Sequence, residues 1–173
     1  MLTWSLLALA GVLVLVAGMT VVGCFLPRGH LASRTLSLKQ SRDSVLTAIR
    51  DLEGSPEWWK LIRSVERLPD ADGSPRYRLT YHDGNRFQIR VSDGPEPGSV
   101  VWTIADEKKL FEGSWSFDVA PSGNGCRVTL TERGEIANPF IRCMARMMMR
   151  PTRYIDIYLN ALADRFSEPV VLA

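Results

Sequence analysis

Charge is missing from the first 27 residues of this 173-residue chain, which hold no Asp, Glu, Lys or Arg. Cysteine and histidine are scarce throughout, with three of the first (Cys24, Cys126, Cys143) and two of the second (His30, His82). Their spacing offers no ligand quartet, which argues against a structural zinc site. Cys126 and Cys143 could form a disulfide, but buried free thiols are the preferred reading. A net charge of +2 is too small to point to nucleic acid as a partner. No nucleophile elbow, phosphate loop or metal-ligating cluster occurs, and nothing in the sequence calls for a cofactor. The chain also lacks βαβ alternation and internal repeats, which excludes the doubly wound and solenoid classes.

Aliphatic residues fill the uncharged stretch. Leu2 to Leu26 includes Leu6, Leu7, Leu9, Val12 to Val16, Val21 and Val22. Roughly 20 helical residues cross the hydrocarbon core of a bilayer, so this run suffices. Pro27 and Gly29 close it, and Trp4 lies near one end, where an interfacial aromatic belongs. A retained membrane anchor is the preferred reading. A cleaved signal peptide would carry a basic n-region, which Met1 to Trp4 lacks. Val21-Val22-Gly23-Cys24 resembles a bacterial lipobox with Cys24 as lipid acceptor, and the same missing charge counts against it. Arg28, Arg34, Lys39 and Arg42 follow the span, so the positive-inside rule sets the soluble part in the cytoplasm. The expected division is a transmembrane anchor over 1–27 and one soluble domain over 28–173.

Past the anchor the hydrophobic period changes from segment to segment. His30 to Leu38 reads as a strand. Ser41 is an N-cap before Val45, Leu46, Ile49 and Leu52, which share one helical stripe. Gly54-Ser55-Pro56 ends that helix, and Glu57 to Ile62 reads as a second short one. Val65 and Leu68 open a strand that Pro69 to Pro75 closes. Tyr77, Leu79 and Tyr81 then alternate with polar residues, as do Phe87, Ile89 and Val91 after the Asp83-Gly84 turn. Gly94 to Gly98 is a turn and Val100 to Ala105 a strand. Trp115 to Val119 and Cys126 to Ile136 form a hairpin around Pro121 to Gly125. Asn138-Pro139 opens a single helix from Phe140 to Phe166, kinked or broken at Pro151. The predicted class is α+β: a curved antiparallel sheet around a long C-terminal helix, preceded by one transmembrane helix.

Four segments add to this order of elements: Pro56-Glu57-Trp58-Trp59, Trp115-Ser116-Phe117-Asp118-Val119, Arg127 to Glu132, and Glu135-Ile136-Ala137-Asn138-Pro139. With it they resemble the START/SRPBCC superfamily, which includes birch-pollen-allergen-like proteins and the polyketide cyclase/dehydrase and lipid-transport group. The resemblance runs from Leu31 to Phe166. It implies a helix-grip fold with a hydrophobic cavity between sheet and long helix. It carries no catalytic signature, and the anchor is not part of the usual domain.

Tyr77, Tyr81, Phe87, Ile89, Trp115 and Phe117 sit on the apolar strand faces, joined by Trp102 or by its neighbours Val101 and Thr103. They are either packed core or cavity lining. Glu132 shares the parity of Val128 and Leu130, and an unpaired carboxylate there would cost several kcal/mol. It therefore pairs with a buried cation, lies at a wet cavity mouth, or is turned out by a bulge. In the C-terminal helix Arg142, Arg146, Arg150 and Arg153 form one basic stripe. Met144, Met147, Met148 and Met149 crowd the same segment. These residues read either as a solvated face with methionine gap-fillers, or as a lid whose methionines, Met144 and Met148 among them, meet ligand while the arginines face anionic headgroups. His82 reads as exposed. The expected function is a membrane-anchored binding domain for a lipid or isoprenoid-like ligand, a binding role being preferred over an enzymatic one. A cyclase/dehydrase-type enzyme with Glu132 or a cavity tyrosine as proton donor is one alternative. An interaction module with a collapsed cavity is the other.

Overall fold

The computed structural model describes residues 2–71, 73–106, 111–148, 150 and 152–172. An apolar helix, α1 (Leu2–Phe25), leads into β1 (Gly29–Leu38) and the short helix α2 (Arg42–Arg50). A 3₁₀ turn (Ser55–Glu57) precedes six consecutive strands: β2 (Ile62–Ala71), β3 (Ser74–Tyr81), β4 (Arg86–Asp93), β5 (Ser99–Asp106), β6 (Glu112–Ser122) and β7 (Gly125–Glu135). Helices α3 (Pro139–Met148) and α4 (Arg153–Arg165) close the chain. The strands form one antiparallel sheet in the order β1-β7-β6-β5-β4-β3-β2. This is the helix-grip fold, with the sheet curved around the C-terminal helices.

Local chemistry explains most element ends. Ser41 caps α2, its hydroxyl accepting from the Ser44 N–H at 3.2 Å. Val45, Ala48 and Ile49 bury one face of that helix. Ser122 pairs with Gly125, leaving a two-residue turn in which Gly123 takes φ 56°, a conformation glycine adopts without strain. The turn is tighter than the five residues expected. β1 is reached from the opposite end of the chain and pairs with β7 from Gly29↔Glu135 to Leu38↔Cys126.

Leu36, Leu79, Trp102, Phe117, Val128 and Leu130 of the sheet meet Ile155, Tyr158, Leu159 and Leu162 of α4, all fully buried or nearly so. Burying each such side chain contributes roughly 1.5–3 kcal/mol. Arg34 ties β1 to α4 through Asp156 at 3.2 Å, and Thr152 donates to the same carboxylate at 2.9 Å.

Two expectations need correction, and one alternative is decided. The helix expected over Phe140 to Phe166, kinked or broken at Pro151, is broken, with α3 ending at Met148 and α4 starting at Arg153. Pro151 and Met149 lie outside the described residues. The short helix expected over Glu57 to Ile62 is the earlier 3₁₀ turn, because Ile62 is already paired with Tyr81 in β2. β2 also runs past Pro69, with a register shift between Leu68 and Ala71. It is an edge strand, where a missing N–H costs no ladder bond. Cys126 and Cys143 are buried and Cys24 is exposed, all three as free thiols.

Candidate functional site

Period-two alternation brings Tyr81, Phe87, Ile89, Trp102, Ile104, Trp115 and Glu132 to the concave face of the sheet. α3 and the start of α4 cover one end of that face. Between them lies a cavity of about 420 Å³. Its walls are these seven side chains with His30 and Phe111, and its cover is formed by Ile141, Ala145 and Tyr154. Pro27, Arg28 and Gly29, the residues that follow α1, form part of its edge.

Three indoles make the deep wall. Trp102 and Trp115 are directly opposed in the β5–β6 ladder and stack at 6.1 Å with 10° between ring planes. Trp59, delivered by the 3₁₀ turn, lies 6.3 Å from Trp102 and 6.0 Å from Trp115. Tyr158 of α4 meets Trp59 edge-on at 4.9 Å and supports this cluster from the core. Its hydroxyl, and the indole nitrogens of Trp59 and Trp102, are buried without a hydrogen-bond partner among the described residues. Burial pushes the Tyr158 phenol well above the ordinary tyrosine range. Tyr81 keeps some exposure, yet desolvation of its phenol, helped by the nearby Tyr154, Asp83 and Glu132, raises it in the same direction.

Of the two carboxylates among the described residues that line the cavity, Asp83 is exposed and Glu132 is buried, only 7% exposed. Its Oε1 lies 3.2 Å from His30 Nε2, while Oε2 is buried without a partner among the described residues. Register explains the contact. Ala32 is opposite Glu132 and His30 opposite Gly134, so His30 is the diagonal neighbour of Glu132 on one face. A Cβ at Gly134 would collide with the His30 and Phe111 rings, so the absence of a side chain there gives both rings their places.

Of the residues expected to meet ligand, Tyr81, Phe87, Ile89, Trp102, Trp115 and Glu132 line the cavity. Tyr77 is buried elsewhere, its ring 5.7 Å from the Arg67 guanidinium. Phe117 packs behind Trp102 at 4.7 Å, inside the core. Met144 is half-buried and Met148 is 73% exposed, and neither lines the cavity. Glu132 is turned inward and paired with His30, so the outward bulge is excluded.

The arginine stripe also divides. Arg146, Arg150 and Arg153 are exposed, but Arg142 is buried. Its guanidinium donates to four carbonyls: Nε to Ile136 at 3.0 Å, Nη2 to Ala137 at 2.9 Å, and Nη1 to Gly23 at 2.9 Å and Leu26 at 3.1 Å. Gly23 lies in the last turn of α1, its carbonyl accepting also from the Leu26 N–H at 3.3 Å, and Leu26 follows the helix end. Gly23 is buried against Pro139, and a Cβ there would overlap the Pro139 carbonyl. Arg142 is therefore a clamp between α1 and α3, and not part of an exposed stripe.

Sequence reasoning passed over His30, Trp59, Ile104, Phe111, Ile141 and Tyr154 as cavity residues. His30 had a usable signal, since it shares parity with Ala32, Leu36 and Leu38. The others depend on how separate elements meet.

The profile of the family described as polyketide cyclase / dehydrase and lipid transport matches residues 32–166. The chain belongs to this family. Most of the cavity's lining falls within the matched segment, and Pro27 to His30 precede it. Among solved structures it is similar to the Zhui aromatase/cyclase from Streptomyces sp. R1128, with TM-score 0.68 and 14% identity over 79% of this chain and 93% of that one. A START superfamily protein from Mycobacterium smegmatis gives TM-score 0.59 and 19% identity, over 79% and 96%. Norcoclaurine synthase from Thalictrum flavum gives 0.62 and 13%, over 82% and 88%. At these identities the likeness establishes the fold alone. Comparison with curated proteins gives no match. The apolar helix α1 precedes the matched segment. Its stretch Trp4–Phe25 is long and apolar enough to cross a membrane, a property that a signal sequence shares.

Proposed function

We propose that this chain is a membrane-anchored domain that holds one hydrophobic ligand in the cavity beneath α3. The observation that carries this reading is a tryptophan-walled cavity of about 420 Å³ whose edge is formed by the residues directly following an apolar helix. Small-molecule sites are mostly apolar with few polar groups and measure ~300–1,000 Å³. Tyr81, Phe87, Ile89, Trp102, Trp115 and Glu132 are the contacts we assign to the ligand, with His30 and Trp59 beside them. Tyr77 and Phe117 support these walls from the core.

The anchor is read as retained. Trp4, Leu7, Val14 and Phe25 are all more than half exposed, and a bilayer accounts for such a surface where water does not. Arg142 supports retention as well, because removal of α1 would take away the Gly23 carbonyl that its guanidinium holds at 2.9 Å. Arg28, Arg34, Lys39 and Arg42 favour a cytoplasmic domain. Arg146, Arg150 and Arg153, with the exposed Met147 and Met148, suit the headgroup layer of the same membrane.

A second reading is a cyclase/dehydrase-type enzyme, favoured by one observation: a carboxylate–imidazole pair stands in the cavity wall. The test of the binding reading is photolabelling of the full chain in nanodiscs with an alkyl diazirine. Label concentrated on peptides carrying Trp102, Trp115 and Ala145 is the expected result. Label confined to α1 would contradict it.

A further inference from the structure

Glu132 is the most costly residue in the cavity wall. Its side chain lies among Trp115, Phe111 and other apolar neighbours, and one oxygen is already bonded to His30. The other oxygen is buried and has no partner among the described residues. A carboxylate in such surroundings is expensive unless each oxygen accepts a hydrogen bond. The terminal torsion of glutamate is soft, so the carboxylate can turn an oxygen toward a donor in the cavity at small cost. A fold that needed only apolar lining would be served better by leucine or methionine at this position.

Resting on the binding reading above, we propose that the Glu132–His30 pair selects a compact apolar ligand carrying a hydrogen-bond donor, a phenol or alcohol, and rejects carboxylates. The ligand hydroxyl donates to the free oxygen of Glu132, while its apolar body lies against Trp59, Trp102 and Trp115. Size suits the class: a fused-ring or short isoprenoid alcohol matches a cavity of about 420 Å³. Charge narrows it further. A ligand carboxylate beside Glu132 would set like charges together in a poorly solvated wall. The arginines at the rim, Arg28, Arg146 and Arg150, would instead favour an anionic ligand if they governed recognition, so the two arrangements predict opposite preferences.

Three naphthalenes substituted at the same ring position separate these cases: naphthol, its methyl isostere and naphthoate. Each is titrated into the full chain in phosphatidylcholine nanodiscs, read by quenching of tryptophan emission and corrected with empty discs. Naphthol is expected to bind about ten- to hundredfold tighter than the methyl compound, as for hydrogen bonds to a charged group, with naphthoate weakest. Glu132→Met should abolish the preference for hydroxyl over methyl. Glu132→Gln removes the charge and exchanges one acceptor oxygen for an amide N–H donor, and should relieve the rejection of naphthoate. Equal binding of naphthol and methylnaphthalene to the wild type, or tightest binding of naphthoate, would overturn the inference without any variant. A hydroxyl preference that survives in a folded Glu132→Met chain would overturn it too. Failure of all three probes to bind a folded wild type would overturn the binding reading itself.

Discussion

Arg142 and Gly23, 119 residues apart in sequence, are joined by a 2.9 Å bond from Nη1 to the Gly23 carbonyl. The bond makes the end of the apolar helix part of the folded domain. Three more carbonyls share the same guanidinium, and the chain between Leu26 and His30 becomes an edge of the cavity. Arg142 thus joins the end of α1 to the connection that precedes α3.

Arg142→Met removes every donor of that clamp and takes the side-chain partner from the Leu26, Ile136 and Ala137 carbonyls, while the Gly23 carbonyl keeps only the Leu26 N–H. A loss of about 3 kcal/mol is expected, as for a buried group stripped of its partners. Denaturant unfolding in detergent measures it. Proteolysis of the native protein should also become faster between Leu26 and Gly29. Unchanged stability and cleavage would contradict the clamp.

Gly23→Leu attacks the same junction by volume, because the new side chain overlaps Pro139. Hydrogen exchange should rise in α3 while β5 and β6 stay protected. Its effect should also be less than additive with Arg142→Met, since both act on one contact. Additive effects would mean that the two residues support different structures.

Gly134→Val pushes the rings of His30 and Phe111 out of the cavity wall. Overpacking of this kind costs about 1–3 kcal/mol. Hydrophobic-probe affinity should fall in parallel, whereas the outward-facing, exposed Arg133→Ala should leave both properties unchanged.

Tyr158 and Tyr81 govern the alkaline limit of stability. Desolvation raises both folded-state values above the unfolded value of about 10. Below that pH both states are protonated and the contribution is fully present. Above it the unfolded chain releases protons first, so stability falls as pH rises toward the folded values. Tyrosinate absorbance of these two residues should therefore appear only together with unfolding. Tyr158→Phe deletes a buried hydroxyl without a partner among the described residues and should be neutral, or stabilising by up to about 1 kcal/mol.

The strands and their inward faces were legible because alternation is local: Tyr81, Phe87, Ile89 and Trp115 can be assigned from their immediate neighbours. Glu132 announced itself by polarity on an apolar face. Its partner did not, because His30 reaches it only through the pairing of β1 with a strand about 100 residues away. Arithmetic along one continuous helix put Arg142 with Arg146, Arg150 and Arg153. The helix ends at Met148, and the carbonyl acceptors that draw Arg142 inward belong to other segments. Met148 fell out of the cavity for a related reason, since the last turn of α3 leaves it exposed.

Native mass spectrometry of the full chain released from detergent tests the central claim most directly, with wild type compared against Ala145→Trp. Ala145 faces the cavity from α3, and an indole there fills much of its volume. The account predicts one apolar molecule of defined mass on the wild type, recoverable by organic extraction, and none on a folded Ala145→Trp variant. A wild type that carries nothing and takes up no hydrophobic probe, or a variant that keeps the same bound mass, would contradict it.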